Sequence, residues 1–136
     1  DKKIAFLGWA FKKNTNDTRE SAAIYVADLL LEEMAKIHVF DPKVLRKQIL
    51  SDINKIGSRS KNENEDLLCV LDNPYDATKD AHAIAILTEW DEFNEYDWKL
   101  IYDQMNKPAF IFDGRNILNK NMLEKIGFIY KGIGKE

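Results

Sequence analysis

Ile4-Ala5-Phe6-Leu7-Gly8-Trp9-Ala10-Phe11-Lys12-Lys13-Asn14-Thr15-Asn16-Asp17-Thr18-Arg19-Glu20 is the stretch that decides the fold. Its first four residues are apolar at every position, the pattern of a strand covered on both faces. Gly8 ends the run. Asp17-Thr18-Arg19-Glu20 then has capping-box spacing, a short acceptor with Glu three residues on, and predicts the start of a helix. Beyond it Ala23, Ala27, Leu30 and Met34 share one helical stripe, with Ile24 and Leu31 beside it.

The same alternation continues along the chain. Further apolar runs occur at Ile37–Phe40, Leu67–Leu71, Ala83–Leu87, Ala109–Phe112 and, more weakly, Phe128–Tyr130. Helical stretches are predicted at Val44–Asn54, Pro74–Lys79, Asp97–Met105 and Asn119–Lys125, and residues 55–66 read as a mobile polar loop. Strands alternating with helices predict a doubly wound, Rossmann-like α/β fold: a parallel sheet of about six strands with helices on both faces. A length of 136 residues with 45% hydrophobic content suits a single domain, residues 1–136, and the opening at Asp1 reads as a domain cut from a longer protein. The net charge of −3 argues against nucleic acid, and no run approaches the roughly 18 apolar residues of a membrane span. With no export pattern, a cytoplasmic setting is expected.

In an open parallel sheet ligands bind beyond the carboxyl ends of the strands, beside strand one. The loop there carries Gly8 alone, with Trp9 and Phe11 where a G-x-G-x-x-G fingerprint needs small residues. Ordinary dinucleotide binding is therefore not expected. Lys12 and Lys13 followed by a helix start and Arg19 can cradle a diphosphate, or the lysines are solvated loop charges; residue types alone leave both open. Arg115, after Asp113-Gly114, can fork onto a phosphate or pair with Asp113 or Asp17. Asp41, before Pro42, reads as a turn or cap residue. Cys69, the one cysteine, reads as a buried inert thiol. His38 and His82 read as packing residues. Trp90, Phe93, Tyr96 and Trp98 read as a cover over the sheet edge or an interface patch. No triad, carboxylate pair or metal set is visible, so no catalytic residue is assigned.

Four blocks carry a resemblance: Gly8–Ser21, His38-Val39-Phe40-Asp41-Pro42-Lys43, Thr88-Glu89-Trp90-Asp91 and Lys107–Arg115. In order and spacing they resemble the C-terminal, UDP-binding domain of the UDP-glucose/GDP-mannose dehydrogenase family, and in particular its UDP-glucose 6-dehydrogenases. The resemblance implies a domain of an NAD-dependent oxidoreductase that converts UDP-glucose to UDP-glucuronate, inactive alone because the NAD-binding domain and catalytic cysteine lie elsewhere. It implies UDP-sugar contacts from Phe11, Lys12, Lys13, Asp17, Thr18 and Arg115, an approach of Arg19 to NAD, and a homo-oligomeric full-length enzyme. Alternatives are the same domain from a UDP-N-acetylmannosamine or GDP-mannose dehydrogenase, or an interaction domain without a ligand of its own. An autonomous NAD-binding enzyme is not expected. Asn14, Asn16 and Asn116 depart from the Asp, Gly and Arg usual in the family's vertebrate forms; Asn16 matters if its position needs a positive φ, and Asn116 removes a charge beside Arg115.

Overall fold

The computed structural model describes residues 2–132. Among them six strands form one wholly parallel sheet: β1 (Lys3–Leu7), β2 (Lys36–Phe40), β3 (Leu68–Val70), β4 (Ala83–Ile86), β5 (Phe110–Asp113) and β6 (Ile129–Gly132). Their order, β3-β2-β1-β4-β5-β6, is the doubly wound one, with the switch point between β1 and β4. Register pairs Leu7 with Ile86 and Ile86 with Asp113, so β1, β4 and β5 end level with one another. Three loops therefore leave the sheet side by side.

The connecting helices are α1 (Ala22–Glu32), α2 (Arg46–Ile56), α3 (Lys61–Leu67), α4 (Pro74–Thr78), α5 (Trp98–Gln104) and α6 (Lys120–Ile126), with a 3-10 turn at Asp91–Glu95. Right-handed crossovers set α1–α3 over one face and α4–α6 over the other. The core between them holds Phe6, Leu7, Leu31, Ile37, Ile53, Ile84 and Ile111, all fully buried. Over β4–β6 the α1 side of the sheet is a groove of about 420 Å³ bounded by Val26 and Leu30 of α1 and by Ala83, Ala85 and Phe112. No helix of the described residues is long and apolar enough to cross a membrane.

Helix starts follow their side-chain acceptors. Asn73, Asp97 and Asn119 each accept the backbone N–H three residues on, which fixes the starts of α4, α5 and α6 near the predicted positions. α1 is different. It is capped by Ser21, not Asp17, because Asp17 spends its carboxylate on Arg19. Its buried stripe is Ala23, Ala27 and Leu31; Met34 lies past the helix end at φ +63° and is exposed.

Two other expectations fail. Residues 55–66 are not a polar loop throughout: Ser60 and Glu63 close a capping box that starts α3 at Lys61. Arg59, its side chain only 8% exposed, pairs there with Asp28 and Glu32 of α1. Cys69 is exposed, because β3 is the outer strand and presents the thiol on its uncovered side.

Candidate functional site

Gly8 leaves β1 at φ +102°, and a Cβ there would lie 2.5 Å from Thr88 Oγ1 and 2.6 Å from Thr88 N. The β1 and β4 loops thus part at a contact that admits hydrogen alone. Trp9 follows, fully buried. Its indole Nε1 donates to Asp52 Oδ2 at 3.0 Å. Its backbone N–H and that of Ala10 both donate to Asp41 Oδ2, at 2.7 and 2.9 Å. Trp90 Nε1 adds a third bond to the same oxygen at 3.2 Å, while Asp41 Oδ1 accepts from Lys43 N and Val44 N at 2.8 and 3.0 Å. Asp41 is a turn residue, as its sequence suggests, and also a clamp across three loops.

The carbonyls of this segment are equally engaged. Ser21 Oγ donates to Trp9 O at 2.7 Å, Thr88 Oγ1 donates to Ala10 O at 2.7 Å, and Phe11 N donates to Asp17 O at 2.7 Å. The loop is therefore pinned at both ends, and Phe11 to Asn14 stand out from it exposed. Asn14 takes the positive φ, +64°, and not Asn16; Asn116 does so too, at +57°. Asparagine tolerates that region better than most residues, so both fit.

Arg115 reaches the same place from β5. Gly114 packs so tightly on β4 that a Cβ would sit 2.9 Å from Ile86 O. The Arg115 side chain then crosses the strand ends: Nε donates to Leu87 O at 3.2 Å and Nη2 to Phe11 O at 2.7 Å. Glu89 Oε1 lies 3.6 Å from Nη2. The Arg115 backbone N–H donates to Asp113 Oδ1, whose other oxygen accepts from Leu118 N and from the Tyr130 hydroxyl. The salt-bridge partner is Glu89 rather than Asp113 or Asp17.

The predicted site residues fall into two groups. Phe11 and Arg115 meet at the switch point, with Lys12 and Lys13 exposed beside them and Lys13 Nζ 3.4 Å from Asp91. Asp17, Thr18 and Arg19 line a separate polar groove with Asn16 and Gln48. There Arg19 holds Asp17 through hydrogen bonds and charge, with help from Lys12, and lowers its pKa to about 2. Thr18 is buried and Arg19 projects into solvent. Sequence reasoning missed Trp9, Trp90, Ser21 and Thr88 as the residues that shape the loop. Two indole N–H groups near the strand ends were the available signal, since a buried indole needs an acceptor.

Among the remaining candidates, His82 is a packing residue that accepts Lys3 N at 3.1 Å. Burial lowers the pKa of His38, with Lys3 and Lys36 adding to the effect. Trp90, Phe93 and Trp98 are core, with Tyr96 ring centroids 5.7 Å from Phe93 and 6.1 Å from Trp98. Among the described residues no group of His, Cys, Asp and Glu has the arrangement of a metal site.

Comparison with known proteins gives a consistent answer. The chain is 49% identical over its whole length to a UDP-glucose 6-dehydrogenase of Gallus gallus, of which it spans 28%. It is 52% identical over 98% of its length to one of Caenorhabditis elegans, of which it spans 27%. Among solved structures it matches an NDP-N-acetyl-D-galactosaminuronic acid dehydrogenase from Methanosarcina mazei at TM-score 0.77 and 29% identity, covering 99% of this chain and 25% of that one. A UDP-D-ManNAc dehydrogenase from Pyrococcus horikoshii matches at TM-score 0.72 and 29% identity, covering 98% and 26%. The chain thus spans little more than a quarter of the relatives it matches. Residues 5–120 match the UDP binding domain of one family, and the chain belongs to it: the UDP-glucose/GDP-mannose dehydrogenase family.

Proposed function

We propose that residues 1–136 form one domain that supplies the UDP-binding half of the site in an NAD-dependent UDP-glucose 6-dehydrogenase, which oxidises UDP-glucose to UDP-glucuronate. The observation that carries this reading is the meeting of Phe11 and Arg115 at the switch point, next to exposed Lys12. Lys12 and Lys13 then neutralise the diphosphate, Arg115 contributes its positive charge and its remaining Nη1 to UDP, and Phe11 offers a half-exposed ring to the nucleotide. Asp17 and Thr18 hold the far end of the loop. Arg19 extends from that end toward the NAD of the assembled enzyme.

NAD itself does not fit this domain in the Rossmann manner. The N–H groups of Trp9 and Ala10, which a glycine-rich turn would present to a pyrophosphate, are both taken by Asp41. Cofactor and catalytic nucleophile are assigned to the part of the enzyme outside this chain, and the isolated domain is inactive. In the whole enzyme we place the protein in the cytoplasm as a homo-oligomer. The rival reading, an interaction domain, draws on the bare apolar groove over β4–β6 and makes Lys12 and Arg115 irrelevant to nucleotides.

Thermal unfolding of this chain with UDP, GDP, NAD⁺ and inorganic diphosphate separates the readings. UDP at about 100 times its Kd stabilises the fold by about 2.7 kcal/mol, or about 9 °C for a domain of this size. Loss of that shift in Lys12→Ala and Arg115→Ala supports the half-site. A larger response to GDP points to a GDP-mannose dehydrogenase, and an unchanged response in both variants refutes the assignment.

A further inference from the structure

Glu89, in the Thr88-Glu89-Trp90-Asp91 block, is the salt-bridge partner of Arg115. Its side chain is 29% exposed, but its Oε1 atom is fully buried and takes no hydrogen bond. A buried carboxylate oxygen without a donor loses its hydration and gains no hydrogen bond in return, so its persistence calls for a compensating interaction. The cation paired with it is Arg115, with Nη2 at 3.6 Å, close enough for attraction and too long for a hydrogen bond. The guanidinium is meanwhile tied by Nε to Leu87 O and by Nη2 to Phe11 O. Nη1 makes no hydrogen bond among the described residues and remains available.

We infer that Glu89 is a positioning residue for Arg115. The two residues leave adjacent strands at matched height, since Ile86 of β4 pairs with Asp113 of β5. Glu89 supplies a fixed negative charge behind the guanidinium, and the two loop carbonyls fix its plane. Together they fix the guanidinium at the switch point and leave Nη1 as the nitrogen for a ligand. A surface arginine without such a counter-charge samples many rotamers and loses entropy on ligand binding. Glu89 lowers that loss by orienting the guanidinium in advance. It touches no ligand in this scheme and acts through Arg115.

The inference rests on the UDP-binding reading for its consequence but not for its geometry, so two measurements separate them. The first is ligand-free: the Arg115 Nε–H resonance in a ¹H–¹⁵N spectrum, assigned by its loss in Arg115→Lys. A held guanidinium gives a dispersed signal with slow exchange in the wild-type chain, retained in Glu89→Asp and collapsed into the exposed-arginine envelope in Glu89→Ala. The second is UDP affinity in a double-mutant cycle. Glu89→Ala weakens binding about fivefold when Arg115 is present and by less than about twofold in the Arg115→Ala background, the signature of action through one partner. An unchanged Nε–H signal in Glu89→Ala overturns the inference, as does tighter UDP binding, which makes Glu89 a repulsive charge. Equal losses in both backgrounds also overturn it. A normal Nε–H response with no UDP binding in the wild-type chain leaves Glu89 positioning Arg115 and removes the UDP-binding reading instead.

Discussion

Replacing Asp41 with Asn tests the clamp that shapes the loop. Asp41 is 7% exposed and accepts five hydrogen bonds, three at Oδ2 and two at Oδ1. The substitution keeps the volume but turns one oxygen into an NH₂ donor. Whichever oxygen is lost, at least two N–H groups then face another donor with no room for water. At about 1–3 kcal/mol for each unsatisfied buried donor, a cost of about 3 kcal/mol is a conservative figure. An unfolding entropy of about 2.1 cal/mol/K per residue gives about 0.29 kcal/mol/K for this chain, so Tm falls by about 10 °C. The assay is differential scanning calorimetry, with UDP affinity measured well below the new Tm to isolate the loop. A fall under about 3 °C would show that the Asp41 bonds are replaceable by solvent and that the loop owes its shape to packing of Trp9 alone.

Other outcomes follow from single contacts. Gly8→Ala drives a methyl into Thr88 at a positive-φ position, so it lowers Tm by more than about 10 °C or prevents folding; near-wild-type stability would mean the β1 and β4 loops separate freely. Asp17 has its pKa depressed to about 2, so the pair with Arg19 contributes fully above the ordinary 3.8 and is lost as pH falls through about 2. In Arg19→Ala the carboxyl titrates closer to its ordinary value, held below it by the backbone N–H of residue 19 that remains; ¹³C chemical shifts read the midpoint directly, and an unchanged midpoint would contradict the pairing. Cys69 reacts with a thiol reagent in the native protein at one equivalent per chain, whereas a buried thiol would need denaturant.

The sheet was legible because β1, β4 and β5 are near-continuous apolar runs, the pattern of parallel strands between layers, although one face of β4–β6 is left bare. α4–α6 were legible because Asn73, Asp97 and Asn119 announce themselves as caps. The start of α1 was misread for a related reason: Asp17 and Ser21 are both good caps, and the choice between them depends on where Arg19 folds back. α3 was missed because its residues are polar on nearly every side, so burial gave no periodic signal; its capping box at Ser60 was the overlooked cue. Cys69 looked internal because composition cannot show which strand ends up on the outside. The positions of Phe11 and Arg115 were expected at one sheet edge, but their direct hydrogen bond joins residues 104 apart in the chain and is set by strand register.

The Asp41 clamp also explains why this loop does not work as a dinucleotide fingerprint. A glycine-rich turn binds a pyrophosphate with its own N–H groups, which requires them to be free and the backbone to be bare. Here a carboxylate already occupies that position, holding Trp9 N, Ala10 N and the Trp90 indole together. An anion brought to the same point would meet that buried negative charge, so recognition has to move outward along the loop. In the proposed UDP-binding reading it moves to side chains, and the residues that stand out beyond the pinned segment are Phe11, Lys12 and Lys13, with Arg115 crossing from β5. On that reading Trp9 and Phe11, which argue against a dinucleotide site, are the residues that relocate the proposed anion-binding surface, one as the buried wedge and the other as its exposed edge.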